Sequence, residues 1–206
     1  RHTRFRNVTG VQTCALPIFS IKPQSAFLFP AVAYCLFRRH VWARRGIALA
    51  EGIARFAALG SIGLSVWVLS GIPFGLGPSG LLDFYSQASN SYEVTSVWAF
   101  NLWGVAGFWK GDVPGAEFPL MRVAGVPAFT VGMGLFVATT AWVLVRAQRS
   151  ISRGHSEARA IATAAAALSL VGFVVLTRMH ERYLFPAIVL LAPLLTWRAF
   201  RRTYWA

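Results

Sequence analysis

Long stretches without an ionisable residue restrict the possible folds of this chain more than any other feature. Two such stretches are residues 124–145 and 160–177. The second is 18 residues long, and as an α-helix it would extend about 27 Å, close to the thickness of a bilayer's hydrocarbon core. Backbone polar groups must be paired inside lipid, and a helix pairs them within one segment. We therefore predict an all-α fold, a polytopic transmembrane helix bundle.

The apolar runs predict five membrane segments and one further apolar stretch. The first and last segments are short and contain proline, which membrane helices tolerate where neighbouring helices satisfy the freed carbonyl groups. We expect these two segments to be buried in the bundle rather than exposed to lipid. The five predicted segments are residues 23–37, 56–72, 123–145, 160–177 and 183–197.

The first 18 residues, RHTRFRNVTGVQTCALPI, follow no helical or strand period. They resemble the conceptual translation of a sequencing-library adapter, in which residues 8–18 match the constant primer. Such scars are excluded from fold reasoning, so we expect residues 19–206 to be the C-terminal part of one integral membrane domain. Removing the three arginines of this segment lowers the formal net charge from +13 to +10, which is still strongly basic.

Composition and motifs exclude several function classes. A basic chain often binds nucleic acid, but 56% hydrophobic residues and eight Trp do not describe a soluble nucleic-acid-binding protein. Residues 75–80, GLGPSG, match the spacing of a dinucleotide-binding fingerprint, yet no alternation of strand and helix surrounds them, so we expect a turn. We predict no cofactor and no metal, because the sequence has no phosphate loop, zinc-ligand spacing or nucleophile elbow.

Basic residues predict which side of the membrane each loop occupies. They cluster around residues 38–45, 146–159 and 198–202, and these clusters alternate with the five predicted segments. Cytoplasmic loops are enriched in Lys and Arg, so we predict that these basic loops are cytoplasmic. The loop at residues 73–122 and residues 178–183 are then extracytoplasmic.

Residues 94–109 are apolar enough for a sixth span, but a span here would put the later basic clusters on inconsistent sides. We favour a re-entrant or interfacial helix, with Trp98, Trp103 and Trp109 at the membrane interface. A short span that pairs with a second segment around Pro119 is the alternative.

Three polar groupings are predicted on the extracytoplasmic side as candidate substrate-binding residues. Ionisable groups within or beside membrane segments usually mark a substrate path or a paired site. The groupings are Lys22 with Gln24, then Asn101, and then His180, Glu181 and Arg182.

Each grouping has a functional and a structural interpretation. Lys22, Arg178 and Arg182 could hold a phosphate or pyrophosphate. His180 could donate to a phosphate oxygen or shuttle a proton, and Glu181 could orient it or pair with an Arg. Alternatively, Lys22 snorkels from a helix end, Asn101 caps or joins helices, and the charged cluster forms structural salt bridges.

Three short motifs carry a resemblance to a known family. The segment HERYLFP at residues 180–186 resembles a segment before the last helices of bacterial GT-C membrane glycosyltransferases, especially those similar to the GPI mannosyltransferase family. KPQ at residues 22–24 and AFNLW at residues 99–103 resemble two further segments of these proteins, although Trp98 stands where the family has Asn. The three matches occur in order along the chain.

The resemblance implies an enzyme of the bacterial inner or plasma membrane that transfers a sugar such as mannose from a polyprenyl-phosphate donor to a glycan, lipid or protein acceptor on the extracytoplasmic face. In this class the catalytic base is typically an acidic residue in the first outer loop, which would precede this sequence, so we expect the fragment itself to be inactive. A multi-pass transporter or flippase for a lipid-linked or anionic substrate is the alternative, and a structural membrane subunit is a third possibility.

Overall fold

The computed structural model describes residues 27–42, 45–90, 93–192 and 194, and these residues are predominantly helical. The predicted all-α class is confirmed. In the described part the helices are α1 (Phe29–His40), α2 (Ile47–Leu69), α3 (Pro78–Asn90), α4 (Leu102–Ala106), α5 (Ala128–Ser152), α6 (Glu157–Val175) and α7 (Phe185–Leu191), with 3-10 turns at Ile72–Phe74 and Glu181–Leu184. Four two-residue strands form two pairs: β1 (Ser96–Val97) with β4 (Met179–His180), and β2 (Arg122–Val123) with β3 (Val126–Pro127).

Three helical segments are long and apolar enough to cross a membrane. They cover Ile47–Phe74, Ala128–Ser152 and Glu157–Val175, with lengths of 28, 25 and 19 residues. These segments correspond to the second, third and fourth predicted membrane segments, so the integral-membrane prediction is supported. Helix α1 has 12 residues and α7 has 7, and both of the corresponding predicted segments extend beyond the described residues. A total of five spans therefore stays a prediction.

The centre of the bundle is the hairpin of α5 and α6. Ser156 begins α6, because its side chain accepts a hydrogen bond from the backbone nitrogen of Arg159, the usual arrangement of an N-cap serine. Alanines on the two facing surfaces let the helices approach closely. The buried cluster there contains Ala31 of α1, Val143 and Ala147 of α5, and Ala164 and Leu168 of α6.

The two described basic clusters meet at one end of the bundle. Arg38 at the end of α1 donates to Oε1 of Gln148 at 2.8 Å and pairs with Glu157 at 3.4 Å. Tyr34 donates to the same Gln148 oxygen at 2.6 Å. This basic end therefore holds residue 38 and the α5–α6 turn together. On α2, Glu51 and Arg55 form an i,i+4 ion pair at 3.8 Å.

The opposite end carries a segment of residues 93–127, which we call the cap. Residues 94–109 form β1, a turn and the five-residue helix α4, so they are not a spanning helix. Helix α3 also lies in the loop at residues 73–122, where we predicted no helix at residues 78–90. The GLGPSG stretch follows a 3-10 turn rather than a strand, and Gly75 has a φ of 68°, a left-handed conformation that glycine adopts readily.

Candidate functional site

The structure describes only some of the predicted site residues. Lys22 and Gln24 lie outside the described residues, so their roles stay predictions. Glu181 begins the 3-10 turn Glu181–Leu184, and its side chain also lies outside what is described. Asn101, His180 and Arg182 are placed at the cap end of the bundle, around the chain that leaves α6.

Asn101 joins the cap to the end of α6. Its Oδ1 accepts a hydrogen bond from the backbone nitrogen of Gly104 at 2.9 Å, which caps the first turn of α4. Its Nδ2 donates to the carbonyl oxygens of Phe173 at 3.3 Å and Leu176 at 3.2 Å. The last carbonyls of a helix have no partner within the helix, and Asn101 supplies one from the cap. The residue is 2% exposed, so the structural interpretation of Asn101 has direct geometric support.

Trp103 makes a second connection to the same helix end. Its indole nitrogen donates to the carbonyl oxygen of Val175 at 2.8 Å, and its side chain is buried. The ring lies against Gly132 of α5, where an added Cβ would come within 2.6 Å of the Val175 oxygen and 3.3 Å of the indole ring. The close approach of α5, α6 and the cap at this point therefore requires glycine.

An ion pair between the cap and the residues after α6 is the third connection. Oδ2 of Asp112 accepts from Nε of Arg178 at 2.7 Å and from the hydroxyl of Thr177 at 2.8 Å. The Asp112 side chain is 1% exposed and that of Arg178 is 17% exposed. The Arg178 guanidinium also lies over the ring of Phe129, 5.0 Å from its centroid. Sequence analysis proposed Arg178 as a possible phosphate ligand, but this side chain is held by Asp112.

Backbone pairing fixes the chain between α6 and α7. Strand β4 runs parallel to β1, with Ser96 opposite Met179 and Val97 opposite His180. The nitrogen of Arg178 donates to the carbonyl oxygen of Thr95 at 2.7 Å. Arg178 has a φ of 59°, an uncommon conformation for a residue with a side chain, which persists only where surrounding contacts hold it.

His180 is the last residue of β4, and Arg182 follows it by two residues. Nη2 of Arg182 lies 3.4 Å from Nε2 of His180. A guanidinium only donates hydrogen bonds, so Nε2 of His180 is the accepting atom in this contact. The His180 ring is half-buried beside Tyr183, with centroids 6.4 Å apart, while Arg182 is exposed. The two side chains therefore lie side by side at the cap end, with the Arg182 guanidinium at the surface.

A row of aromatic rings on the cap borders this pair. Trp98 forms a backbone bridge with His180, and its ring centroid lies 6.0 Å from that of Phe108 and 5.9 Å from that of Trp109. Phe100 and Phe118 extend the row at its two ends. Trp98, Phe100 and Trp109 are exposed, so an apolar aromatic surface adjoins the polar one.

The sequence did not identify Asp112 and Thr177 as partners of Arg178. Its only relevant signal was the predicted sidedness, which put Asp112 on the same side of the membrane as the Arg178 cluster. A separation of 66 residues left no local spacing from which the pair could be predicted.

The comparisons with known proteins add no family assignment, because no protein-family model, curated protein or solved structure matches this chain. Within the part of the chain that the structure describes, no group of three His, Cys, Asp or Glu side chains is arranged to hold a metal ion.

Proposed function

We propose that this chain is part of a GT-C type membrane glycosyltransferase, which transfers a sugar from a polyprenyl-phosphate donor to an acceptor on the extracytoplasmic face. The observation that carries the proposal is the pairing of His180 with Arg182 at 3.4 Å, on a segment that follows a candidate membrane-spanning helix. The exposed guanidinium of Arg182 suits the oxygens of a phosphate group, and the His180 ring lies beside it.

The contacts that hold residues 177–180 against the cap support this assignment. Asp112 neutralises Arg178 and fixes the residues before His180, while Asn101 and Trp103 hold the helix end beneath them. Preorganised donors cost little reorganisation when an anion arrives. Arg178 and Asn101 are accordingly positioning residues, and the phosphate-binding role falls to His180 and Arg182, with Lys22, Gln24 and Glu181 as predicted contributors.

Apolar surfaces beside the pair suit the lipid part of the donor. A shallow, open apolar surface extends along α5 from Phe129 to Ala138, and Phe129 contacts the guanidinium of Arg178. An isoprenoid chain needs such an apolar surface, whereas its phosphate must remain at a polar boundary. In this arrangement the isoprenoid chain lies on the apolar surface of α5, and the phosphate lies at the His180–Arg182 pair.

Sugar transfer tests the proposal in a longer protein that contains this chain together with an acidic first outer loop. With a polyprenyl-phosphate sugar as donor, His180→Ala and Arg182→Ala should each lower transfer at least about tenfold, the effect of removing a hydrogen bond to a charged group. Arg122→Ala is the matched control, because Arg122 is an exposed cap arginine bonded to the carbonyl oxygen of Gly125.

Unchanged transfer by well-folded His180→Ala and Arg182→Ala proteins would contradict the proposed site. Movement of the lipid-linked substrate across the membrane without product formation would contradict the enzyme and favour the transporter or flippase.

A further inference from the structure

A second groove lies at the basic end of the bundle, along the seam between α5 and α6. Its volume is about 260 Å³, and its floor includes Val143, Ala147 and Ala164, while Trp142, Arg146 and Ser150 belong to its α5 side. Gln148 accepts hydrogen bonds from Tyr34 and Arg38 of α1. On α5 it lies on the opposite side of Val143 and Ala147 from the groove. The groove therefore opens on the face of the hairpin away from α1.

The α5 side of this groove is polar near the basic end and apolar elsewhere. The guanidinium of Arg146 lies 5.9 Å from the centroid of the Trp142 ring, and both side chains are exposed. Tryptophan and arginine are the residues that membrane proteins place at the boundary between acyl chains and headgroups. Arg149, Arg153 and Arg159 follow within or beside the turn that joins α5 to α6, so positive charge surrounds the polar end.

The lining narrows the class of ligand. It is mostly apolar, and burying the hydroxyl groups of a sugar against apolar walls costs free energy, so an acyl chain suits this groove better. Its walls are apolar along the candidate spanning helices, where a bilayer supplies acyl chains. Basic pockets between membrane helices on the cytoplasmic side bind anionic lipid headgroups.

We propose that this groove binds an anionic glycerophospholipid of the leaflet at the basic end. One acyl chain lies over Val143, Ala147 and Ala164, and the phosphate reaches the guanidinium of Arg146. This site is distinct from the His180–Arg182 pair, which lies at the other end of the same helix hairpin. The proposal is independent of sugar transfer.

Lipid titration of the purified full chain in detergent, followed by native mass spectrometry, tests the proposal. The probes are phosphatidylglycerol and phosphatidylcholine with identical acyl chains. We expect the chain to bind phosphatidylglycerol more tightly, and Arg146→Gln to weaken that binding about fivefold, the usual contribution of one basic residue at an anionic membrane surface. Arg153→Gln is the charge control, because Arg153 is exposed and does not line the groove.

Substitutions that fill the groove with larger side chains provide a second test of the proposal. Ala167→Leu places a larger side chain in the groove wall and should weaken binding of both lipids, and Thr163→Leu, also in the wall, repeats the test should one variant fold poorly. Ala162→Leu is the control, because Ala162 lies on the same helix outside the groove.

Three results would overturn the proposal. Equal losses for Arg146→Gln and Arg153→Gln would show general attraction of lipid to a basic surface. Unchanged lipid binding by folded Ala167→Leu and Thr163→Leu proteins would exclude the groove. Intact lipid binding with altered oligomeric state in those variants would show that the groove receives a protein helix instead.

Discussion

At the residue scale, polar side chains of the cap complete the hydrogen bonding of the α6 terminus. Asn101 and Trp103 donate to carbonyl oxygens of residues 173–176, and Asp112 accepts from Thr177 and Arg178. Unsatisfied buried groups cost more free energy than a satisfied bond returns. Removing any of these side chains should therefore lower the free energy of unfolding, and the loss should grow with the number of buried groups left without a hydrogen bond.

Asp112→Ala should lower the free energy of unfolding by about 3 kcal/mol, because it leaves the partly buried Arg178 guanidinium without its carboxylate. The measurement is thermal or denaturant unfolding in detergent. The double variant Asp112→Ala/Arg178→Met should recover part of that loss, since it removes the charge that would be left unpaired. Strictly additive losses from Asp112→Ala and Arg178→Met would contradict a coupled pair.

Asn101→Asp separates the two functions of the Asn101 amide. The carboxylate can still accept from Gly104, so the cap of α4 is retained, but it cannot donate to Phe173 and Leu176. We expect both Asn101→Asp and Asn101→Ala to lower stability by about 1–3 kcal/mol, the cost of leaving buried acceptors unpaired. Wild-type stability of Asn101→Asp in an unfolding titration would mean that the contacts to α6 contribute nothing.

At the element scale, α5, α6 and the cap meet at Gly132. The backbone of α6 and the ring of Trp103 both approach the position that a Cβ would occupy. Two residues along the same helix, Gly134 has nothing within 4 Å of its Cβ position. The chain thus offers a matched pair of glycines, one required by packing and one not.

Gly132→Ala should destabilise the fold by about 1–3 kcal/mol, because a methyl group would force α5 away from α6 and the cap. Gly134→Ala should be neutral or stabilising by up to about 1 kcal/mol, since alanine favours a helix over glycine. Hydrogen exchange should show the loss at Gly132→Ala concentrated in the cap and at the end of α6. Equal behaviour of the two variants would contradict the close approach.

The sequence predicted elements that depend on local pattern and missed those that depend on distant contacts. Helices α2, α5 and α6 could be predicted because hydropathy over 18 or more residues decides membrane insertion. The parallel pairing of β1 with β4 could not, because two-residue strands carry no period and their partners are more than 80 residues apart. Helix α3 was missed because glycine and proline precede it and its polar residues resemble a loop.

The candidate site was likewise predictable only in part, for its conspicuous residues but not for their contacts. His180 and Arg182 could be singled out because ionisable residues beside apolar runs are conspicuous, and Asn101 because a motif contained it. Their surroundings could not be predicted. Whether Asn101 lines a pocket or closes a helix end depends on where Phe173 and Leu176 lie in space, which its neighbours in sequence do not specify.

At the scale of the whole molecule, the described residues place basic and cap surfaces at opposite ends of one helix hairpin. Arg38, Gln148 and Glu157 meet at one end, and Asp112 and Arg178 meet at the other. This separation is the arrangement that the positive-inside rule requires of a chain with cytoplasmic basic loops. The direction of the hairpin in the membrane stays a prediction.

Single cysteines test that direction. In a background with Cys14 and Cys35 replaced by serine, Glu117→Cys in the cap and Ala158→Cys near the basic end both lie at exposed positions. A membrane-impermeant thiol reagent applied to intact spheroplasts should label residue 117 and spare residue 158 until the membrane is permeabilised. The reverse pattern would invert the topology and place His180 and Arg182 in the cytoplasm.

Donor binding by the chain itself tests the central claim most directly, since binding to the His180–Arg182 pair does not require a catalytic base. A polyprenyl-phosphate sugar with a photoreactive lipid can be titrated against wild type, Arg182→Gln and the exposed cap control Arg122→Gln in detergent. We expect Arg182→Gln to weaken labelling at least about tenfold, as the loss of a charged hydrogen bond implies, with Arg122→Gln like wild type. Equal labelling of all three proteins at unchanged thermal stability would contradict the phosphate site.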